Sequence, residues 1–106
     1  MRVLFDQGTP APLRHGLLAH TVETAYERGW STLRNGELLQ AAEAAGFEVM
    51  ITTDMDLQHQ QNLAERRIAI VVLSTTSWPR IRAATQDVVG AVARSATEHF
   101  IEVHIP

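Results

Sequence analysis

Short apolar runs alternate along the chain with longer amphipathic segments. Runs of β-branched and large apolar residues bounded by turn residues predict buried strands. Such runs lie at residues 2–6, 20–24, 49–51 and 68–73, and around Phe100, Ile101, Val103 and Ile105. The run at 68–73 is continuously apolar, which is typical of a strand covered on both faces. Each run is short enough for a strand of a small sheet.

The segments between these runs carry helix signals. Thr9 as N-cap and Pro10 in the first turn predict a helix start, and apolar spacing predicts further helices over residues 35–46 and from 77 to about 96. A polar segment at 57–63 predicts a short helix over the strand ends. The first helix would have an apolar side made of Leu13, Leu17 and Leu18.

Strands that alternate with helices predict an α/β fold with three layers, α/β/α, and a mostly parallel sheet of four to five strands. A chain of 106 residues that is 45% hydrophobic is long enough for one domain, residues 1–106, and too short for two. We expect the first and third strands to lie side by side, near the point where the winding of the sheet reverses.

Composition excludes several kinds of chemistry. The chain has no cysteine, which excludes disulfides, thiolate metal sites and a cysteine nucleophile. All nine basic residues are arginine, which excludes a lysine Schiff base or a phosphate-loop lysine. The net charge of −3 argues against a general nucleic-acid coating protein but is compatible with a nuclease that uses bound cations.

The chain carries no targeting or membrane signal. No apolar run approaches the roughly 20 residues of a membrane span. Met1 leads almost directly into a strand, without the basic and apolar regions of a secretion signal. We therefore expect a cytoplasmic protein that does not enter a membrane.

An aspartate follows each of the two predicted central strands. Asp6 ends the first run and Asp54 follows the third, after two threonines. Ligands of open α/β sheets bind outside the carboxyl ends of the strands, and carboxylate oxygens are preferred ligands of Mg²⁺ and Mn²⁺. The sequence therefore predicts that Asp6 and Asp54 converge on one rim and hold a divalent metal ion.

Three segments resemble the PIN-like domains, a superfamily of metal-dependent ribonucleases, and in particular its short branch that is often paired with antitoxins. Residues 2–10, RVLFDQGTP, are similar to the opening strand with its first metal aspartate. Residues 35–39, NGELL, are similar to the segment before the middle helix, and residues 49–57, VMITTDMDL, to the strand that ends in a T-x-D-x-D-F type motif. Two positions depart from the pattern: Gly8 replaces the asparagine of D-x-N-x-P, and Asn35 stands where the family has an acid.

The resemblance implies a single-stranded RNA substrate, a Mg²⁺ or Mn²⁺ cofactor, and a toxin that is held by an antitoxin. Asp6 and Asp54 would bind the metal directly, and Glu37 or Asp56 would contribute through water or bind a second ion. The predicted supporting groups are Thr53 or Thr9 beside a ligating carboxylate, Arg80 and Arg82 on RNA phosphates, and His59 near the rim.

Structural roles are alternatives for the same residues. Asp6 can cap a turn, Asp54 can cap a short helix, and Glu37 suits the first turn of a helix. Asp56 can be a solvated turn residue. The two tryptophans, Trp30 and Trp78, suit either burial against a helix or stacking on bases.

Two functional alternatives remain. Asp6, Asp54 and Thr75 or Thr76 also mimic the layout of receiver-like signalling domains, but those domains need a lysine that this chain lacks. The departures at Gly8 and Asn35 suit a PIN-like fold that has lost catalysis and serves as a partner-binding module. The apolar residues from Phe100 to Ile105 predict a homodimer or antitoxin interface on an exposed edge strand.

Overall fold

Five short strands form one parallel sheet in the computed structural model, which describes all 106 residues. Along the sheet the order is β2-β1-β3-β4-β5, and every neighbouring pair is parallel. The strands are β1 (Arg2–Phe5), β2 (Thr21–Thr24), β3 (Val49–Thr52), β4 (Ala69–Leu73) and β5 (Phe100–Val103).

Helices cover both faces of this sheet. They are α1 (Asn35–Ala44), α2 (Leu57–Gln60), α3 (Trp78–Ala83) and α4 (Thr85–Arg94), with 3₁₀ helices at Ala11–Gly16 and Leu63–Glu65. One buried cluster joins a sheet face to α3, α4 and the first 3₁₀ helix, and a second joins the opposite face to α1 and α2. The predicted α/β class with a mostly parallel sheet of four to five strands is therefore confirmed, and the sheet has five strands that are all parallel.

The strand order also confirms that β1 and β3 are neighbours. The chain leaves β1 for β2 on one side and then returns to β3 on the other side of β1. In doubly wound sheets this reversal opens a crevice between the two connections, and ligands bind there. Asp6 directly follows β1, and Asp54 lies two residues beyond β3, so both aspartates flank the crevice.

The helix predicted from residue 77 to about 96 is two helices. Ala84 separates α3 from α4 with φ −109° and ψ 22°. The Thr85 hydroxyl donates a 2.7 Å hydrogen bond to the carbonyl of Arg82, and such bonds compete with the helical backbone pattern. Apolar spacing did not reveal the break because Ile81, Ala84 and Val88 are buried on both sides of it.

The helix predicted after Thr9 is a short 3₁₀ helix with Pro10 as its N-cap residue. Thr9 does not cap it, because the Thr9 hydroxyl is bonded to Asp6 and to the carbonyl of Ile51. Leu13 and Leu17 are buried as expected, but Leu18 is 83% exposed and does not belong to the apolar side.

The last strand lies at an edge of the sheet, but its apolar side chains are not exposed. Ile101, Val103 and Ile105 are buried in the core, which is covered there by α4. The argument that these side chains form an exposed interface was therefore wrong, and only the backbone edge of β5 is open. No helix has the length and apolar character needed to span a membrane.

Candidate metal and catalytic site

The Asp6 carboxylate is the most enclosed acidic group at the carboxyl edge of the sheet. Its Oδ1 accepts hydrogen bonds from the Thr9 amide, at 3.1 Å, and from the Thr9 hydroxyl, at 2.7 Å. Its Oδ2 accepts a bond from the Thr52 hydroxyl at 2.5 Å. All of these donors are neutral. Oδ1 is therefore fully engaged, whereas Oδ2 keeps acceptor capacity on one side.

Burial raises the pKa of Asp6 above its usual value of 3.8. The hydrogen bonds from Thr52, Thr9 and the Gly8 amide act in the opposite direction but do not cancel the effect of burial. No arginine or histidine forms an ion pair with this carboxylate. A buried carboxylate without a cationic partner is a costly arrangement for a fold, and a bound cation would relieve that cost.

Thr52 joins the two predicted metal aspartates. Its hydroxyl donates to Asp6 and accepts a 3.0 Å hydrogen bond from the backbone amide of Asp54. Thr52 is the last residue of β3 and is buried, so its position is fixed by the sheet. The carboxylate of Asp6 and the backbone of Asp54 are thereby held on opposite sides of one hydroxyl group.

The Asp54 carboxylate is more accessible and has two different neighbours. Its Oδ1 accepts the amide of Asp56 at 3.0 Å, in a turn that leads into α2. Its Oδ2 accepts the side-chain amide of Asn35 at 3.1 Å. Asp54 therefore bonds within the turn before α2 but does not cap the helix as the structural alternative expected, because Asp56 is the N-cap residue. Each of its oxygens retains a lone pair for a further partner.

Asn35 belongs to this site, although it was not among the predicted site residues. Its amide nitrogen contacts Asp54 and also donates to Gln60 Oε1 at 2.6 Å. The carboxylate partner fixes the orientation of the amide, because only the nitrogen can donate to it. The signal in the sequence was its place at the position where the resembled family has an acid.

Glu37 and Asp56 have other surroundings than those predicted. The Glu37 carboxylate is exposed and accepts a 3.3 Å hydrogen bond from the backbone amide of Arg34 at the start of α1. Asp56 contacts the site through its backbone amide, and its side chain is exposed. No three His, Asp or Glu side chains come together in a group that could hold a metal ion. The carboxylates of the site are thus Asp6 and Asp54, without Glu37.

Thr53 and His59 lie around the site without contacting its carboxylates through hydrogen bonds. Thr53 instead packs against the β1 exit loop, since a Cβ built at Gly8 would overlap its hydroxyl oxygen. Gly8 is therefore required sterically opposite Thr53. His59 is exposed on α2. Of the two threonines predicted to support a carboxylate, Thr9 has that contact, and Thr52 takes the place expected for Thr53.

The two predicted phosphate-binding arginines differ. Arg80 donates through Nε to the carbonyl of Pro106 and through Nη2 to that of Ile105, both at 2.9 Å. These bonds hold the segment after β5 against α3 and use two of the five N–H groups of an exposed guanidinium. Arg82 is exposed and has no side-chain partner, so it remains the more available of the two.

A cleft of about 890 Å³ opens beside Asp6. Asp6, Gly8 and Thr9 line its floor, and two aromatic side chains, Tyr26 and Trp78, line it as well. A second, polar depression lies on the other side, lined by Asn35, Gln60 and neighbouring residues. Asp6 thus lines the cleft that holds the two aromatic side chains, whereas Asp54 lines neither cavity and contacts Asn35 of the polar depression.

No family model, curated protein or solved structure matches this chain. The residues of the site themselves indicate its chemistry. Asp6 Oδ2 and the Asp54 carboxylate are hard oxygen donors, the kind that Mg²⁺ and Mn²⁺ prefer, and Asn35 holds the Asp54 carboxylate through its amide nitrogen. Mg²⁺ is commonly held by only one or two carboxylates with waters in the remaining positions, so this donor set fits such an ion.

Proposed function

We propose that this protein is a metal-dependent endoribonuclease that hydrolyses single-stranded RNA. On this proposal Asp6 and Asp54 hold one Mg²⁺ or Mn²⁺ ion in the crevice between β1 and β3. Thr9 and Thr52 orient the Asp6 carboxylate, and Asn35 orients that of Asp54. The protein would act in the cytoplasm.

The observation that carries the proposal is the state of Asp6. Its carboxylate is partly buried at the strand end next to the switch point, its pKa is raised chiefly by desolvation, and its donors are neutral. A fold that needed Asp6 only for a turn would gain by exposing it or by pairing it with an arginine. Enclosed carboxylates with displaced pKa values are concentrated at functional sites.

On this proposal, residues of the chain position the metal ion and supply the negative charge that binds it. A bound divalent ion would supply a polarised water and neutralise charge on the phosphodiester. Asp6 Oδ2 accepts one hydrogen bond and each oxygen of Asp54 accepts one, so each of these oxygens keeps acceptor capacity and can act as a ligand. Neither needs to lose its structural hydrogen bonds. Arg82, exposed beyond the carboxyl end of β4, is available to an RNA phosphate.

Cleavage of a mixed RNA pool in Mg²⁺ or Mn²⁺ tests the proposal. We expect wild-type protein to cleave, and Asp6→Asn and Asp54→Asn to lose about 100-fold or more of the rate, because each removes a charged metal ligand. Glu43→Gln is a matched control and should retain the wild-type rate, because Glu43 is a half-buried carboxylate bonded to Arg66 and Arg67 at the opposite edge of the sheet. Glu37→Gln should do so as well, since Glu37 contacts only the start of α1.

The alternative function, a catalytically inactive partner-binding module, is favoured by one specific contact. Asn35 touches Asp54 with an amide at the position where the resembled family has an acid. If wild-type protein binds Mn²⁺ but leaves RNA intact, and Asn35→Asp introduces cleavage, the inactive module is the correct reading. If Asn35→Asp only weakens an activity that wild type already has, the nuclease proposal is retained.

The protein partners remain proposals. An antitoxin or a second copy of the chain would pair with the open backbone of β5, because the apolar side chains of that strand are buried. Copurification of a partner, or a dimer in light scattering, would support this interface. A monomer without a partner would argue against it.

A further inference from the structure

Tyr26 is an exposed aromatic residue that the fold does not use. It follows β2 closely, its side chain is 79% exposed, and neither buried cluster includes it. The phenol hydroxyl has no hydrogen-bond partner in the structure. A single exposed aromatic residue is ordinary on its own, but Tyr26 lines the same cleft as Asp6.

Trp78 provides a second aromatic surface in that cleft. It begins α3, after the exit from β4, and packs partly against the core while also lining the cleft. Because the strand order is β2-β1-β3-β4, the loops that carry Tyr26 and Trp78 lie on either side of the loop that carries Asp6. The carboxylate is thus flanked by one aromatic residue on each side.

The size and charge of the cleft suit a particular ligand. A volume of about 890 Å³ lies in the range of pockets that enclose small organic molecules. Its one arginine, Arg14, is paired with Glu27, so the cleft offers no free guanidinium for a phosphate. The cleft also contains His15 and polar side chains, and its two aromatic faces can bind any nucleobase by stacking. Stacking of this kind requires bases that are already unpaired.

We infer that this cleft binds bases of single-stranded RNA next to the scissile phosphate, with Tyr26 as an open stacking platform and Trp78 as the opposing wall. The inference rests on the proposed nuclease function, since it takes RNA as the ligand. It adds the location of the bases and a role for two residues outside the carboxylate site. Both are binding residues and do not touch the reacting atoms.

The test is binding of a short, mixed-sequence 2′-O-methyl oligoribonucleotide, which lacks the free 2′-hydroxyl, measured by fluorescence anisotropy in EDTA and in Mg²⁺. We expect Tyr26→Ala to bind about 5- to 100-fold more weakly than wild type, the range for loss of one base stack. Tyr26→Phe keeps the ring and should restore binding. Leu18→Ala, at an exposed apolar position outside the cleft, should bind like wild type.

Tryptophan emission gives an independent readout. Trp30 packs edge-on against Phe47, with ring centroids 6.1 Å apart, and does not line the cleft. In a Trp30→Phe variant the remaining emission comes from Trp78, and the oligonucleotide should quench it. The inference is overturned if the oligonucleotide does not bind, if Tyr26→Ala binds like wild type, or if Trp78 is not quenched.

These outcomes are separable from those of the cleavage assay. Binding that depends on Tyr26 without any cleavage would retain the cleft and reject the nuclease. Cleavage that depends on Asp6 but is indifferent to Tyr26, in both KM and kcat, would retain the nuclease and reject the cleft.

Discussion

Asp6 and Glu43 are two enclosed carboxylates at opposite edges of the same sheet, and the fold treats them differently. Glu43 lies at the amino edge with its side chain 13% exposed. It accepts 2.9 Å and 2.6 Å hydrogen bonds from the Arg66 guanidinium and the Arg67 amide. Asp6, at the carboxyl edge, accepts bonds from neutral hydroxyl and amide groups only.

Their pKa values show the consequence. Burial is the largest influence on both groups and raises both pKa values. At Glu43 the hydrogen bonds and the charge of Arg66 outweigh it, and the pKa ends below 4.5. At Asp6 the neutral donors do not outweigh it, and the pKa stays above 3.8. The chain supplies a cation to Glu43 and leaves Asp6 without one.

The same difference between glutamate and aspartate is found along the whole chain. Every ion pair in the structure uses a glutamate, and none uses an aspartate. Paired glutamates are explained by stability alone. An enclosed aspartate without a cation at a switch point is explained if a cation arrives from solution, which is the basis of the metal proposal.

Titration with Mn²⁺ should give the largest difference between the Asp6 and Glu43 carboxylates. At Mn²⁺ concentrations about 100 times the Kd, binding to the folded state adds about 2.7 kcal/mol to the free energy of unfolding. For a domain of this size that corresponds to a rise in Tm of roughly 10 °C or more. We expect the rise in wild type and in Glu43→Gln, and its loss in Asp6→Asn and Asp54→Asn. A rise that persists in both aspartate variants would contradict the assigned ligands.

In EDTA, neutralising Glu43 should lower the free energy of unfolding, whereas neutralising Asp6 should leave it nearly unchanged or raise it. Glu43→Gln places an amide NH₂ near the Arg67 amide or the Arg66 guanidinium and leaves a donor unpaired, at a cost of about 1–3 kcal/mol. Asp6→Asn removes a buried charge, and the Thr52 hydroxyl can accept from the new amide. We expect the free energy of unfolding of Asp6→Asn to lie within about 1 kcal/mol of the wild-type value or above it, as is common when a functional charge is removed.

Urea unfolding of the two variants in parallel measures this difference. Asp54→Asn serves as a reference, because it shows how much the free energy of unfolding changes when a more accessible carboxylate is neutralised. If Asp6→Asn costs as much stability as Glu43→Gln, then Asp6 is a structural residue and the comparison fails.

The sequence was sufficient for the strands, for the juxtaposition of β1 and β3 and for the position of Asp6 and Asp54 at strand ends. Apolar runs are local signals, and the parallel arrangement follows from the alternation of strands and helices. Asp6 and Asp54 could be placed because a residue at the end of a strand moves with the strand. The juxtaposition of β1 and β3 then brings both aspartates to the same crevice.

The contacts of Asn35 and Thr52 could not be predicted in the same way. The approach of Asn35 to Asp54 depends on how the start of α1 lies over the end of β3, and spacing along the chain carries no information about that distance. Thr52 and Thr53 are adjacent and chemically identical, so only the pleat of the strand decides which hydroxyl meets Asp6. The burial of Ile101 and Val103 was missed because an edge strand was equated with an exposed face, whereas the face that carries these two residues packs on the core and the opposite face exposes Glu102.

The pH dependence of stability provides the finest comparison, and its sign follows from the two pKa shifts. The raised pKa of Asp6 means that the folded state binds more protons than the unfolded state above about pH 3.8, so this group lowers stability as pH rises through its folded pKa. The lowered pKa of Glu43 contributes stability that is present above pH 4.5 and is lost as pH falls through its folded pKa. In wild type, acidification therefore relieves the cost of the charged Asp6 carboxylate while it removes the stability contributed by the charged Glu43 carboxylate.

Asp6→Asn lacks this relief and should lose stability more steeply than wild type on acidification in EDTA, whereas Glu43→Gln should lose it less steeply. Urea midpoints measured from neutral pH to about pH 3, below the usual pKa of both groups, distinguish these slopes, and identical profiles for wild type and Asp6→Asn would mean that the burial of Asp6 carries no electrostatic cost for a metal ion to relieve.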